Sequence, residues 1–293
     1  MESVSFRNIL FPTDFSPSSQ AIIGHVVGMA STFHAKVWLL SVLPSLADFQ
    51  GVSESHFGTL GESALVKFEA ERKIQAQNRL QKLELIQKEH FDAVASEVCV
   101  KSGGVAETIV EHAGEIPADL IMMPTRGHGI MRRFLIGSVT AKVLHDSPCP
   151  VWTSPHPREL EPFRPYRRIL VPVDYREFPA ELLTRAAKIA AVFQAQLTVL
   201  SALPEHAGFE ELASKRKNEV ADELKKHIAA QNVSASVHVM EGSPGEVLRQ
   251  FAEEIWEADL IILGRRRRDE SMSHLRTRAY EIICNAPCPV LGL

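Results

Sequence analysis

Short, nearly continuous apolar runs alternate along this chain with longer stretches in which apolar residues recur every three or four positions. Ile9-Leu10-Phe11, Val37-Trp38-Leu39-Leu40 and Leu120-Ile121-Met122-Met123 are runs of the first kind. Runs without polar alternation belong to strands covered on both faces, as in a parallel sheet. The pattern predicts strands near 6–13, 36–43, 94–100, 119–123 and 150–153. Helices are predicted between them, near 17–33, 62–90, 105–116 and 138–146. The order then starts again, with strands near 168–173, 196–203, 235–240, 259–263 and 288–292. The matching helices fall near 178–194, 209–231, 244–257 and 271–285. Regular alternation of strand and helix is α/β architecture, and right-handed crossovers leave few topologies open.

The repetition extends to the residues. Arg7-Asn8-Ile9-Leu10-Phe11-Pro12-Thr13-Asp14 returns as Arg168-Ile169-Leu170-Val171-Pro172-Val173-Asp174, and Ser147-Pro148-Cys149-Pro150-Val151 returns as Ala286-Pro287-Cys288-Pro289-Val290. A whole domain is duplicated, not a short solenoid unit. We expect a first domain over 1–153, a linker over 154–167 and a second domain over 168–293. The linker is rich in proline, which predicts a stiff connection and one preferred packing of the halves. Asp174 lies 160 residues after Asp14, but Asp259 lies only 140 after Asp119, so the second copy lacks about 20 residues. The loss falls mostly on Ser45–Gly61, a stretch that reads either as a lid or interaction loop or as an ornament of the first copy.

Bulk properties exclude several classes. At 293 residues each half can bury its own core. A net charge of −4 argues against a general binder of nucleic acid or anionic membranes. No apolar run reaches the roughly 18 residues of a membrane span, and Met1-Glu2-Ser3 does not open a secretory signal. The expected location is cytoplasmic. Cys149 and Cys288 read as small buried residues. Cys284 and Cys288 lack a second pair to complete a zinc site, and the histidines are scattered, so no metal ligand set is assigned. Leu65, Phe68, Ala76, Leu80 and Leu83 recur at helical spacing and read as core, with Glu69, Glu71, Arg72 and Lys73 on a solvated face. Ser16, Ser18 and Ser19 read as caps of the first helix. No nucleophile, base and orienting group are set together, so no catalytic residue is assigned.

The candidate chemistry lies in two segments that a sheet of order 3-2-1-4-5 brings together. Pro12-Thr13-Asp14 ends the first strand. Pro124-Thr125-Arg126-Gly127, nine residues and then Gly137-Ser138 follow the fourth. Strands 1 and 4 flank the topological switch point, where ligands bind in open α/β sheets. Glycines let backbone N–H groups approach phosphate oxygens, and a helix start at Gly137-Ser138 offers unsatisfied donors and a favourable dipole. Arg126, His128, Arg132 and Arg133 surround that place, and Asp14 suits a ribose or base.

With these residues the chain resembles the universal stress protein family, once per half and over essentially its whole length. The family's Gly-x2-Gly-x9-Gly-(Ser/Thr) motif is matched by Pro124-x2-Gly127-x9-Gly137-Ser138 at three of four marked positions. Phe-Pro-Thr-Asp-Phe-Ser at 11–16 and the Pro-Cys-Pro-Val endings are similar as well. The resemblance implies two Rossmann-like domains of the adenine nucleotide alpha hydrolase type, each a five-stranded parallel sheet of order 3-2-1-4-5 flanked by helices. It implies Thr13, Asp14 and Val42 on the adenine and ribose side, and Gly127, Gly137, Ser138 and the backbone of Val139 on the phosphates. Arg126 and His128 are further candidate phosphate contacts. The implied ligand is ATP, ADP or AMP, with or without Mg²⁺, and the implied role a stress-response sensor or adaptor with at most slow ATPase activity. Such domains pair through their last strands, here within one chain as a pseudo-dimer, with a homodimer left open.

The departures point the other way. Pro124 replaces the first motif glycine and has no N–H. The second copy keeps Gly264 and Asp174, but Arg267 and Thr277-Arg278 replace the remaining motif positions. Arg265-Arg266-Arg267-Arg268 reads as a solvated basic loop or as a substitute anion grip through guanidinium forks. The alternative function is therefore an interaction module of the same fold with both sites degenerate. An adenylate-transfer enzyme is disfavoured, because Thr13-Asp14-Phe15-Ser16 supplies neither a Ser-Gly-Gly loop nor a His-x-Gly-His pair.

Overall fold

The computed structural model describes residues 5–44, 62–125, 136–154, 163–205, 210–264, 281–284 and 286–293. Ser45–Gly61, Arg126, Gly127, His128, Arg132, Arg133, Arg265–Arg268 and Thr277-Arg278 lie outside the described residues. The first half runs β1 (Asn8–Pro12), α1 (Pro17–Ala21), α2 (Ile23–Phe33), β2 (Lys36–Pro44), α3 (Glu62–His90), β3 (Ser96–Gly103), α4 (Val105–Glu115), β4 (Leu120–Pro124), α5 (Ser138–Asp146) and β5 (Val151–Ser154). The second runs β6 (Arg168–Pro172), α6 (Ala180–Phe193), β7 (Gln196–Leu203), α7 (Glu210–Ala230), β8 (Ser236–Glu241), α8 (Pro244–Gln250), a π-helical turn (Phe251–Ile255), β9 (Leu260–Leu263) and β10 (Val290–Gly292).

The ten strands of the described residues form one sheet in the order β3-β2-β1-β4-β5-β10-β9-β6-β7-β8. Each half therefore has the expected 3-2-1-4-5 order. Among the described residues pairing is parallel within each half and antiparallel only at the seam, where Val290, Leu291 and Gly292 face Thr153, Trp152 and Val151. Strand residues alternate between two covered faces. Ile9 and Phe11 join one core with Ile22, Val26, Met29 and Leu83, while Leu10 joins the other with Ile109 and Val143. The first of these cores continues across the seam. Trp152 is fully buried and donates its indole N–H to the Tyr166 hydroxyl at 3.0 Å, and Tyr166 packs edge-on against Phe193. Gly28 makes room for Phe163, since a Cβ there would lie 2.0 Å from that ring.

Two carboxylates do the same work in both halves. Asp119, just before β4, accepts from the backbone N–H groups of Arg7 and Asn8 at 2.7 and 2.9 Å. Asp259, just before β9, accepts from Arg167 and Arg168 at 2.6 and 2.9 Å. Each pins the start of the central strand to the neighbouring crossover. Burial raises the Asp259 carboxyl above its ordinary value, against the pull of the two N–H groups.

Three local expectations differ from the structure. The helix near 17–33 is two helices, broken at Ile22. The helix near 244–257 is α-helical only to Gln250 and then widens into the π turn. Leu83 is fully buried, as expected of the α3 core positions, but Leu80 is exposed. The inner face of α3 is held by Leu83 and Ile86 near its C-terminal end. Cys149 and Cys288 are buried, and burial pushes the Cys288 thiol well up.

Candidate functional site

The sheet opens at the switch point. β1 pairs with β2 over five residues, Asn8 to Pro12, but with β4 over only two, Ile9 with Leu120 and Leu10 with Ile121. Beyond these pairs β1 and β4 diverge, and the ends of both border the resulting crevice. β6 and β9 part after the same two pairs, Ile169 with Leu260 and Leu170 with Ile261.

On the β1 side the chain makes a compact turn. Thr13 is buried, and its N–H donates to Leu40 O at 2.8 Å. Its hydroxyl donates to the Ser19 hydroxyl at 3.0 Å and accepts from the Phe15 N–H at 3.1 Å. Asp14 is exposed and accepts from the Ser16 N–H at 2.9 Å, an Asx turn. Ser16 caps α1 by accepting from the Ser19 N–H, so of the three serines it is Ser16 that supplies the cap. Phe15 has φ 65°, left-handed backbone that a bulky side chain adopts only when its surroundings enforce it. Val42 is buried in the core on the α4 and α5 face of the sheet.

On the β4 side the loop is closed at its base. The Gly137 N–H donates to Thr125 O at 2.9 Å, and the Thr140 hydroxyl donates to Pro124 O at 3.0 Å. The chain thus leaves β4 at Thr125 and returns to it at Gly137. Gly137 is the N-cap of α5, with φ −63° and ψ 147°, and no side-chain cap bond is made there. Ser138 is exposed and Val139 half-buried, on the first turn of that helix. The structure therefore brings Thr13, Asp14, Gly137, Ser138 and Val139 to the crevice-side ends of their elements. Gly127, Arg126 and His128 fall on the segment outside the described residues.

Pro124 is accommodated for a definable reason. The N–H groups of Ile121 and Thr125 donate to Pro150 O and Ser154 O on the β5 side. Backbone nitrogens alternate sides along a strand, so the nitrogen of residue 124 faces β1, where pairing has already ended. A missing N–H there costs no ladder bond. In the other half Gly264 holds this place, and a Cβ on it would come within 3.3 Å of the Leu182 side chain.

Arg79 of α3 was not singled out by the sequence. Its guanidinium donates to the Ser41 hydroxyl at 2.8 Å and lies over the Phe15 ring at 5.7 Å. Ser41 in turn donates to Thr13 O. Burial lowers the Arg79 pKa from its ordinary value, and the Asp14 charge opposes that shift. A helix lying 38 residues from Ser41 in sequence thus braces the turn that carries Asp14. The signal that could have found it is the duplication: Arg216 lies 5.7 Å over the Tyr175 ring in the second half. Thr125 and Thr140, which close the loop base, were equally silent in the sequence.

Among the described residues no group of three or more His, Cys, Asp or Glu could hold a metal ion. No helix among them is long and apolar enough to cross a membrane.

The universal stress protein family model matches residues 5–155 and again 165–292, so the chain belongs to the universal stress protein family, with two copies of its domain. It is 30% identical over 155 residues to universal stress protein MJ0531 of Methanocaldococcus jannaschii, an alignment covering 53% of this chain and 85% of that protein. It is 29% identical over 152 residues to universal stress protein Sll1654 of Synechocystis sp., covering 52% and 87%. The fold of a universal stress protein from Archaeoglobus fulgidus superposes with a TM-score of 0.66 at 20% identity, covering 97% of both chains.

Proposed function

We propose that the first half binds an adenine nucleotide, ATP, ADP or AMP, and that the protein serves as a cytoplasmic stress-response sensor or adaptor rather than as an enzyme. The adenosine would lie toward Thr13, Asp14 and Val42. The phosphates would meet Gly127 and the start of α5 at Gly137, Ser138 and the Val139 backbone, with Arg126 and His128 near them. Mg²⁺ would arrive with a di- or triphosphate.

The observation that carries this reading is the start of α5. A helix N-terminus with no side-chain cap borders the gap between β1 and β4, where donors and dipole favour an anion. The left-handed Phe15 beside Asp14 supports it, because strain of that kind gathers at ligand sites. No matching left-handed residue occurs at Tyr175. α5 also rests on the second half, since Ile136 just before its start and Leu144 in its last turn pack against the core around Leu170 and Cys288. A nucleotide that shifted this helix start would be felt across the seam, which is what a sensor requires.

One observation favours the interaction-module reading. The site-facing nitrogen of residue 124 is a proline nitrogen and donates nothing, at a cost of about 1.5–3 kcal/mol if a phosphate needs that bond. Mass spectrometry of small molecules released from freshly purified full-length protein separates the two. An adenine nucleotide near one per chain supports binding. Its absence, with no thermal shift at millimolar ATP, would leave the interaction module.

A further inference from the structure

α3 carries an outward stripe that its own chain does not use. Ile74 and Leu85 are 56% and 55% exposed on the same helix that buries Leu83 completely. At about 100° per residue, Ile74 and Leu85 lie within about 20° of one another and about 180° from Leu83. Between them, on the same outward line, stand Asn78 and Gln81, also exposed. The outermost line of this long, charged helix is therefore uncharged over about four turns. Glu71 and Lys88 bound it, both exposed, and neither makes an ion pair among the described residues.

The second half shows that the fold does not need this stripe. Leu83 and Phe91 correspond to the buried Val220 and Ile228, each 137 residues on, and at the same offset Arg79 and Arg216 each lie over an aromatic ring. The same offset turns Ile74, Asn78, Gln81 and Leu85 into Glu211, Lys215, Asn218 and Asp222, all exposed. One copy carries an ordinary solvated face where the other carries two large apolar residues and two amides.

We propose that α3 is the docking surface for a second copy of this chain, the two helices packing antiparallel about a twofold axis that passes between Asn78 and Gln81 on the outward face. The stripe is self-complementary when reversed. Residues whose numbers sum to 159 then face each other: Ile74 meets Leu85, Asn78 meets Gln81, and Glu71 meets Lys88. An isologous interface needs that property, each patch matching itself. The amides can donate to and accept from one another, and polar residues within an apolar seam fix its register. From Glu71 to Lys88 the seam runs about 26 Å along each helix, and a contact of one helix per copy belongs with the small, weak interfaces. The dimer is accordingly concentration dependent and independent of nucleotide.

Sedimentation equilibrium of the full chain, from micromolar to submillimolar concentration, tests this. The wild type is expected to pass from monomer to dimer. Ile74→Asp, Glu71→Lys and Lys88→Glu should each weaken dimerisation by about tenfold or more. The double variant Glu71→Lys with Lys88→Glu should restore it, because the charges exchange places across the axis. All three positions are on the surface, and unchanged circular dichroism would show that the fold is intact. A protein that stays monomeric throughout, a dimer indifferent to Ile74→Asp, or a charge pair that fails to rescue would overturn the proposal.

Discussion

The two halves build the same strand order around the same split, yet they treat its rim differently. Ser41 and Ser201 each donate to the carbonyl that follows the central strand, Thr13 O and Val173 O, at 3.1 and 3.0 Å. Asp14 and Asp174 each accept from the N–H two residues on, at 2.9 and 3.0 Å. These shared features are the means by which the strand end is folded. The rest is private to the first half: a left-handed Phe15, an extra helical turn capped by Ser16, an inward Arg79 and a glycine at the start of α5. In the second half Arg216 reaches Glu219 instead, and residue 219 corresponds to Lys82 in the first. The lesson concerns Asp14. Its return as Asp174 has a structural reason, so its presence alone is not a mark of ligand binding.

The largest expected effect breaks nothing in the comparison and should be equal in both halves. Asp119→Ala and Asp259→Ala each remove two hydrogen bonds to a charged acceptor, and each should cost about 3 kcal/mol in urea unfolding. A cost confined to one half would show that the two pins are not equivalent. Gly137→Thr should separate the halves most sharply. Its φ of −63° is open to any residue, so the melting temperature should hold while nucleotide affinity falls by about a hundredfold or more. Equal affinity would remove the start of α5 from the site. Next come Asp14→Ala and Asp174→Ala. Both lose an Asx turn and should lower stability by about 1 kcal/mol, but titration with ATP should register a further loss only for Asp14→Ala.

An effect confined to alkaline pH belongs to the seam. Burial holds the Tyr166 hydroxyl well above its ordinary pKa. A group raised on folding contributes fully below its unfolded pKa of about 10, and that contribution is lost as the pH climbs toward the folded value. Stability should therefore fall from about pH 10 upward, by about 1.4 kcal/mol per pH unit for this group. Tyr166→Phe should flatten that slope at the cost of leaving the Trp152 N–H without its acceptor. An unchanged alkaline slope would place the titrating group elsewhere.

Strand order and the location of the split were legible because they rest on apolar periodicity and on the duplication. Hydrogen bonds from side chain to distant backbone were not. Asp119 and Asp259 served in the sequence only to measure an offset, since nothing local says that a carboxylate will reach a strand 111 residues away. Arg79 was hidden because an arginine on a charged helix reads as solvated until the fold brings Ser41 and Phe15 under it. Leu80 misled for the opposite reason. Helical spacing marks a face but not how much of a long helix the sheet covers, and α3 is anchored chiefly by Leu83 and Ile86 near its C-terminal end. The left-handed Phe15 had no sequence signal, because the strain comes from what surrounds it. Gly127, Arg126 and His128 remain expectations of the motif.

Calorimetric titration of ATP into the full-length protein, with and without Mg²⁺ and alongside Gly137→Thr, tests the central claim most directly. One binding event per chain, absent from the variant, is the predicted result. No heat from the wild type at millimolar ATP, or equal heat from both proteins, would contradict it.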